Sequence, residues 1–248
     1  PVGAHEVNVT GTLNLLEFAM SQARDHGRSV MFFYPSSIAV YGTPIHLGDR
    51  PVSERECSTP RTMYGSNKLY CEHLGRYYAS YYKQLDTEVH ANLVDFRSIR
   101  FPGLISALTT PSGGTSDYAS EMIHSAANSE AYTCFVRPDT RIPFMAMPDA
   151  IDAILALTNR EGTDLSQHVY NVSAFNPSAA EIHELVAKAY PSAHVAFEPD
   201  TRRQAIVDSW PSAVDDRLAR IDWGYSPHYD LVTCFHDYLF PTVSEIYR

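Results

Sequence analysis

Nine residues near the front of the chain, SVMFFYPSS at 29–37, constrain the fold more than any other stretch. A short, unbroken apolar run offers no polar face to water, so it reads as a strand buried on both sides, the kind found in parallel sheets with helices above and below. The flanks agree. Before the run, Leu13, Leu16, Met20 and Ala23 recur at helical spacing, and Gly27 supplies a stop. After it, a loop with Gly42, Pro44, Gly48, Pro51 and Pro60 leads into a long helix, predicted from Thr62 to Lys83, whose Leu74, Tyr77, Tyr78 and Tyr81 share one broad face. VDFRSIRFPG reads as the next strand, ended by Pro102 and Gly103, with a functional loop, ISALTTPSGGTS, beyond it.

The second half consists of shorter units. DYASEMIHSAANS predicts a helix, and in RIPFMAMPDAIDAILAL Pro148 and Asp149 start another, with Asp149 as its expected cap. SAAE at 178–181 has capping-box spacing, and SAVD at 212–215 is a weaker version of it. VYNVS and HVAFE read as strands. This alternation predicts an α/β fold, a doubly wound parallel sheet of Rossmann-like type with a small C-terminal α/β lobe. Residues 1–105 are expected to form the sheet domain and 106–248 mainly the lobe, with segments around 141–175 returning to the sheet.

Charge and composition narrow the function. Nineteen Lys and Arg are dispersed among 29 Asp and Glu, a net charge of -10, which argues against a nucleic-acid or anionic-membrane surface. The four cysteines lie far apart, and no Cys, His or Glu cluster has ligand spacing, so neither a disulfide framework nor a metal is expected. No run approaches the ~20 apolar residues of a membrane span, and the front lacks the zones of a signal peptide.

The reactive candidates lie in TMYGSNK at 62–68. Residues four apart on a helix share a face, so Tyr64 and Lys68 can approach one point. A free phenol titrates near ~10, too high for a base at neutral pH, and a nearby ammonium favours its ionised form. Tyr64 would then act as a general acid/base on a hydroxyl proton. Ser37, at the end of the apolar strand, would hold the substrate oxygen. Taken singly, each feature reads equally as packing or as turn chemistry.

Taken together, PSSIAVYG followed 27 residues after Ser37 by Tyr64 in YGSNK resembles the extended short-chain dehydrogenase/reductase family across almost the whole chain. The resemblance implies that Tyr64 is the acid/base, that Lys68 lowers its pKa and binds the nicotinamide ribose, and that Ser37 contacts the reacting hydroxyl, with Ser36 a neighbour on the cofactor side. NVTGTLNLLE is similar to the family helix before the serine strand, which implies that Asn8 lies near the cofactor; a capping role for Asn8 reads equally well. Leu104 is implied to pass close to the nicotinamide.

DFRSIRFPGLIS, GGTSDYASEMIHSA and DSWPSAVDDRLARIDWGYSPHYDL further resemble the L-threonine 3-dehydrogenase branch of that family. That branch implies NAD as cofactor and L-threonine as substrate, with Gly114 and Thr115 offered to its carboxylate and Trp210 closing over it. It also implies a homodimer through the Tyr64–Lys68 helix, and a cytoplasmic setting in bacteria or a mitochondrial one in eukaryotes. Two alternatives stay open: a nucleotide-sugar epimerase or reductase, with Arg141 as a conceivable pyrophosphate contact, and a noncatalytic scaffold. Family members carry a further βαβαβ half with a glycine-rich phosphate turn, which no stretch here resembles, so the functional parent is expected to possess such residues ahead of Pro1.

Overall fold

The computed structural model describes residues 1–44, 47–86 and 93–248. Residues 2–26 form one helical run, α1, assembled from Val2–His5, a π-type stretch Glu6–Thr10, and Gly11–His26. Leu16, Ala19, Met20 and Ala23 are its buried face, and Gly27 ends it in a left-handed turn at φ 64°. Leu13, expected on that face, is instead exposed, as are Leu15 and Phe18.

The apolar run becomes β1 (Val30–Ser37), the Tyr64–Lys68 segment becomes α2 (Met63–Ser80), and VDFRSIRF becomes β2 (Val94–Phe101). β1 and β2 run parallel in register from Val30 opposite Val94 to Ser37 opposite Phe101. Along β2, Val94 and Phe96 pack with α1 and α2, whereas Ile99 and Phe101 enter a separate core on the other face. That alternation puts apolar contacts on both sides of the strand, as in a sheet covered on both faces.

Past Pro102 the chain does not enter a loop at once. Gly103–Ile105 forms β3, because its backbone pairs in parallel with β5 (Phe144–Ala146). Between them come α3 (Tyr118–Ala127) and β4 (Tyr132–Cys134). α4 (Met147–Thr158) covers the Ile99 face, and β6 (Val169–Asn171) joins the free side of β2, giving the parallel order β1-β2-β6. The chain closes with α5 (Ala179–Ala189), β7 (Val195–Phe197), α6 (Thr201–Val207), α7 (Arg217–Trp223) and a helical run over 231–246. β7 pairs with β4, and a third apolar core, including Tyr118, Met122, Phe144 and Phe235, lies in this region. The molecule is a doubly wound, Rossmann-like α/β fold with parallel sheets.

Two local expectations resolve differently. Ser178 and Glu181 form the capping box of α5, but α7 starts at Arg217 after Asp216 without a side-chain cap. Asp149 does not cap α4, whose first-turn position it occupies. It is buried, and its carboxylate accepts the His228 and Tyr229 backbone N–H groups at 2.8 and 3.1 Å, which ties the 228–229 loop to the helix.

Candidate active site

The C-terminal ends of β1 and β2 open on a cavity of about 550 Å³. Beyond β1 the chain makes a tight turn, Ile38–Val40, capped by Ser37, whose Oγ accepts the Ala39 N–H at 3.1 Å. Thr62 caps α2 in the same way, its Oγ1 accepting the Gly65 N–H at 3.0 Å. The two caps meet because position 65 is glycine: a Cβ there would lie 1.9 Å from the Ala39 carbonyl oxygen. This close approach sets Tyr64 and Lys68 beside Ser37 on one cavity wall.

Tyr64 is 47% exposed along that wall. Burial raises its pKa above the usual phenol value, while a hydrogen bond with the Ser37 side chain pulls it down. Lys68 Nζ donates to the Pro35 carbonyl at 2.7 Å and sits 4.8 Å from the Tyr34 ring centroid and 5.5 Å from that of Tyr64. Burial lowers the Lys68 pKa, with Cys71 and Glu72 pulling the other way. The downward pull on the phenol thus comes from Ser37, and Lys68 acts as a charge held over the ring by a backbone carbonyl.

The other expected residues divide. Leu104, Thr115 and Trp210 line the cavity. Ser36 also borders it but is buried, its hydroxyl donating to Glu72 Oε1 at 2.5 Å. Gly114 has its N–H donated to Asp117 Oδ2 at 2.8 Å and its carbonyl engaged by Arg203 at 3.0 Å, so that amide belongs to the loop's own turn. Asn8 lies on the π-type stretch of α1 outside the lining, its side-chain amide bonded to the Ala4 carbonyl at 2.9 Å. Arg141 pairs with Glu181 at 2.8 Å and donates to the Asn176 carbonyl at 2.6 Å.

Sequence reasoning overlooked Thr62 and Ile206 in the lining and the buried group behind it, and placed Asp117 on the substrate loop without a role. Ser36, Arg100 and Asn171 are directly opposite one another on β1, β2 and β6. Arg100 makes a two-pronged contact with Glu72 at 2.8 and 2.6 Å, and Tyr41 links Arg100 to Asn171 at 2.9 and 2.7 Å. Burial pushes the Tyr41 phenol up to about 12, although Arg100 pulls it down. Helical spacing did hold a signal: Glu72 follows Lys68 by four residues, as Lys68 follows Tyr64.

A serine at a strand end, a phenol and an ammonium around one cavity, on a parallel sheet, define a class, and comparison with known proteins gives the same one. The chain belongs to the NAD dependent epimerase/dehydratase family, whose model matches residues 1–173. It is 37% identical to the mitochondrial L-threonine 3-dehydrogenase of Bos taurus over 228 residues, which cover 92% of this chain and 56% of the bovine one. Among solved structures, a monomeric L-threonine 3-dehydrogenase of metagenomic origin superposes with a TM-score of 0.84 at 34% identity, over 98% of this chain and 73% of that one. L-threonine dehydrogenase from Clostridium difficile does so with a TM-score of 0.85 at 32% identity, over 100% and 72%.

Proposed function

We propose that the protein of which this chain is a part oxidises L-threonine at its 3-hydroxyl to 2-amino-3-ketobutyrate. The observation that carries this reading is the convergence of Ser37, Tyr64 and Lys68 with Thr115 and Trp210 on one cavity of about 550 Å³. The similarity to threonine dehydrogenases over nearly the whole chain supports it.

The donor set suits the nicotinamide-ribose end of NAD. Lys68 spends one N–H on Pro35, leaving two for hydroxyl acceptors, and Leu104 offers an apolar wall. NAD, when bound, supplies the acceptor for the hydrogen leaving C3 of threonine. Ser37 would hold the 3-hydroxyl, and Tyr64 as phenolate would take its proton. Thr115 would meet the substrate carboxylate, and Trp210 would close over the site to exclude water. The Lys68 ammonium would favour the phenolate once a substrate has displaced solvent.

The reading extends to assembly. Leu15 and Phe18 of α1, Tyr70 and Tyr77 of α2 and Tyr81 just past its end are exposed, and aromatics suit contact surfaces, so this helix pair is the proposed homodimer face. For a nucleotide-sugar substrate, Arg141 would have to leave Glu181 and Asn176, which gives that alternative no advantage.

The test is threonine-dependent NADH formation and NAD binding, followed in this chain and in one extended upstream. Activity that falls about 100-fold or more in Tyr64→Phe supports the assignment of the base. Near-normal turnover in that variant rejects it, and absence of threonine-dependent NADH in both chains rejects the activity.

A further inference from the structure

A second cavity, of about 410 Å³, lies beside α2 at β6 and is separate from the one holding Tyr64. Arg55, Arg76, Arg100, Gln167 and His168 line it, with Glu54. Among the described residues neither Arg55 nor Arg76 has a hydrogen-bond or ion-pair partner, and both are exposed. Two guanidiniums free of protein partners thus border one solvent-open cavity, in a protein with a net charge of -10.

Arg100 supplies a third guanidinium, and it is fixed. It is 3% exposed, and its bonds to Glu72, Tyr41 and the Glu54 carbonyl use four of the five N–H groups a guanidinium carries. Its last N–H is without an acceptor. The acid in the lining, Glu54, has its Oε1 turned to the Asn171 backbone N–H at 2.9 Å and forms no ion pair with any of the three arginines. Gln167 adds a side-chain amide to this wall, where it steadies the Glu54 carboxylate against the upward pull of burial. The cavity therefore sets two exposed guanidiniums in front of one buried, fixed guanidinium. Planar forks of this kind match the oxygens of a phosphate.

We propose that this cavity is a binding site for a phosphate-class anion, held by Arg55 and Arg76 against Arg100. The site is independent of the dehydrogenase reading and needs neither NAD nor threonine. Its anion would be linked to the first cavity through Arg100, Glu72 and Ser36, which are in continuous hydrogen-bond contact.

The experiment is calorimetric titration of this chain with inorganic phosphate at constant ionic strength, the balance made up with chloride. Saturable binding is expected, weakened about 10-fold in Arg55→Gln and in Arg76→Gln, as loss of a charge-assisted bond requires. Arg28→Gln, an exposed arginine on the turn before β1, is expected to leave it unchanged. Both lining arginines are exposed, so the single variants retain the fold, and circular dichroism confirms it. A nucleoside monophosphate titrated in parallel separates the sources: tighter binding than phosphate points to a phosphate ester, equal binding to the free anion, and either upholds the site. No saturable binding, or equal weakening by Arg28→Gln, overturns it.

Discussion

Ser37 carries the most information per atom in the candidate site. Its Oγ caps the turn after β1, and its side chain draws down the Tyr64 pKa that burial raises. If the phenolate is the base, Ser37→Ala should move the rising limb of the pH–rate profile to higher pH, because the folded phenol then loses its lowering influence; an unmoved limb would remove Ser37 from that role. Behind it, Arg100 and Glu72 are both nearly inaccessible, so removing one partner leaves an uncompensated buried charge. Arg100→Leu should destabilise the chain by about 3–5 kcal/mol in denaturant titration, more than a surface Arg substitution would. Much of the site was legible at this scale. Tyr64, Lys68 and Ser37 lie where spacing and strand end put them. Gly114 shows the limit: a glycine next to glycine signals a loop, but which acceptor takes its N–H depends on Asp117 folding back onto it, and no periodicity encodes that.

Among the elements, α2 is the best specified and the most tightly placed. Gly65→Ala would drive a methyl group into the Ala39 carbonyl, so the helix start must withdraw from the turn after β1. The expected result is a loss of about 1–3 kcal/mol together with a sharp fall in any Tyr64-dependent activity. Thermal melting and turnover measured on the same preparation would check it, and unchanged turnover would contradict the placement. α5 offers a milder case: Ser178→Ala breaks a capping box with both hydrogen bonds present, and about 1 kcal/mol should be lost in urea titration. The strands that escaped prediction, β3, β4 and β5, are three residues each. They exist because β3 and β5 lie alongside each other and β7 beside β4, and a partner distant in sequence leaves no local pattern to read. Asp149 was misread for a related reason. Its position fits a helix start, but its acceptors were claimed by the 228–229 backbone, which only the folded chain brings near.

Over the whole molecule, the exposed apolar side chains of α1 and α2 make a testable surface. If they form the proposed homodimer face, Phe18→Glu combined with Tyr77→Glu should yield a monomer by light scattering with unchanged circular dichroism. A wild-type monomer would remove the premise, and the monomeric metagenomic relative shows that a threonine dehydrogenase of this fold can stand alone. The doubly wound architecture was readable early, since β1 announces two-faced burial by composition and helices alternate with strands after it. The lobe was less so, because its core joins Tyr118, Phe144 and Phe235, segments that touch only after the chain has turned back several times.

The row of Ser36, Arg100 and Asn171 also has meaning for folding. Parallel strands of mostly apolar residues can slide past one another with small loss, since one branched side chain replaces another. Here a slip of one residue would send Ser36 to the opposite face, and a slip of two would leave the Glu72–Arg100 pair opposite an apolar neighbour. The polar row acts as a registration mark: it penalises every alignment of the three strands but one, and the one it admits is the alignment that brings Ser37 to Tyr64.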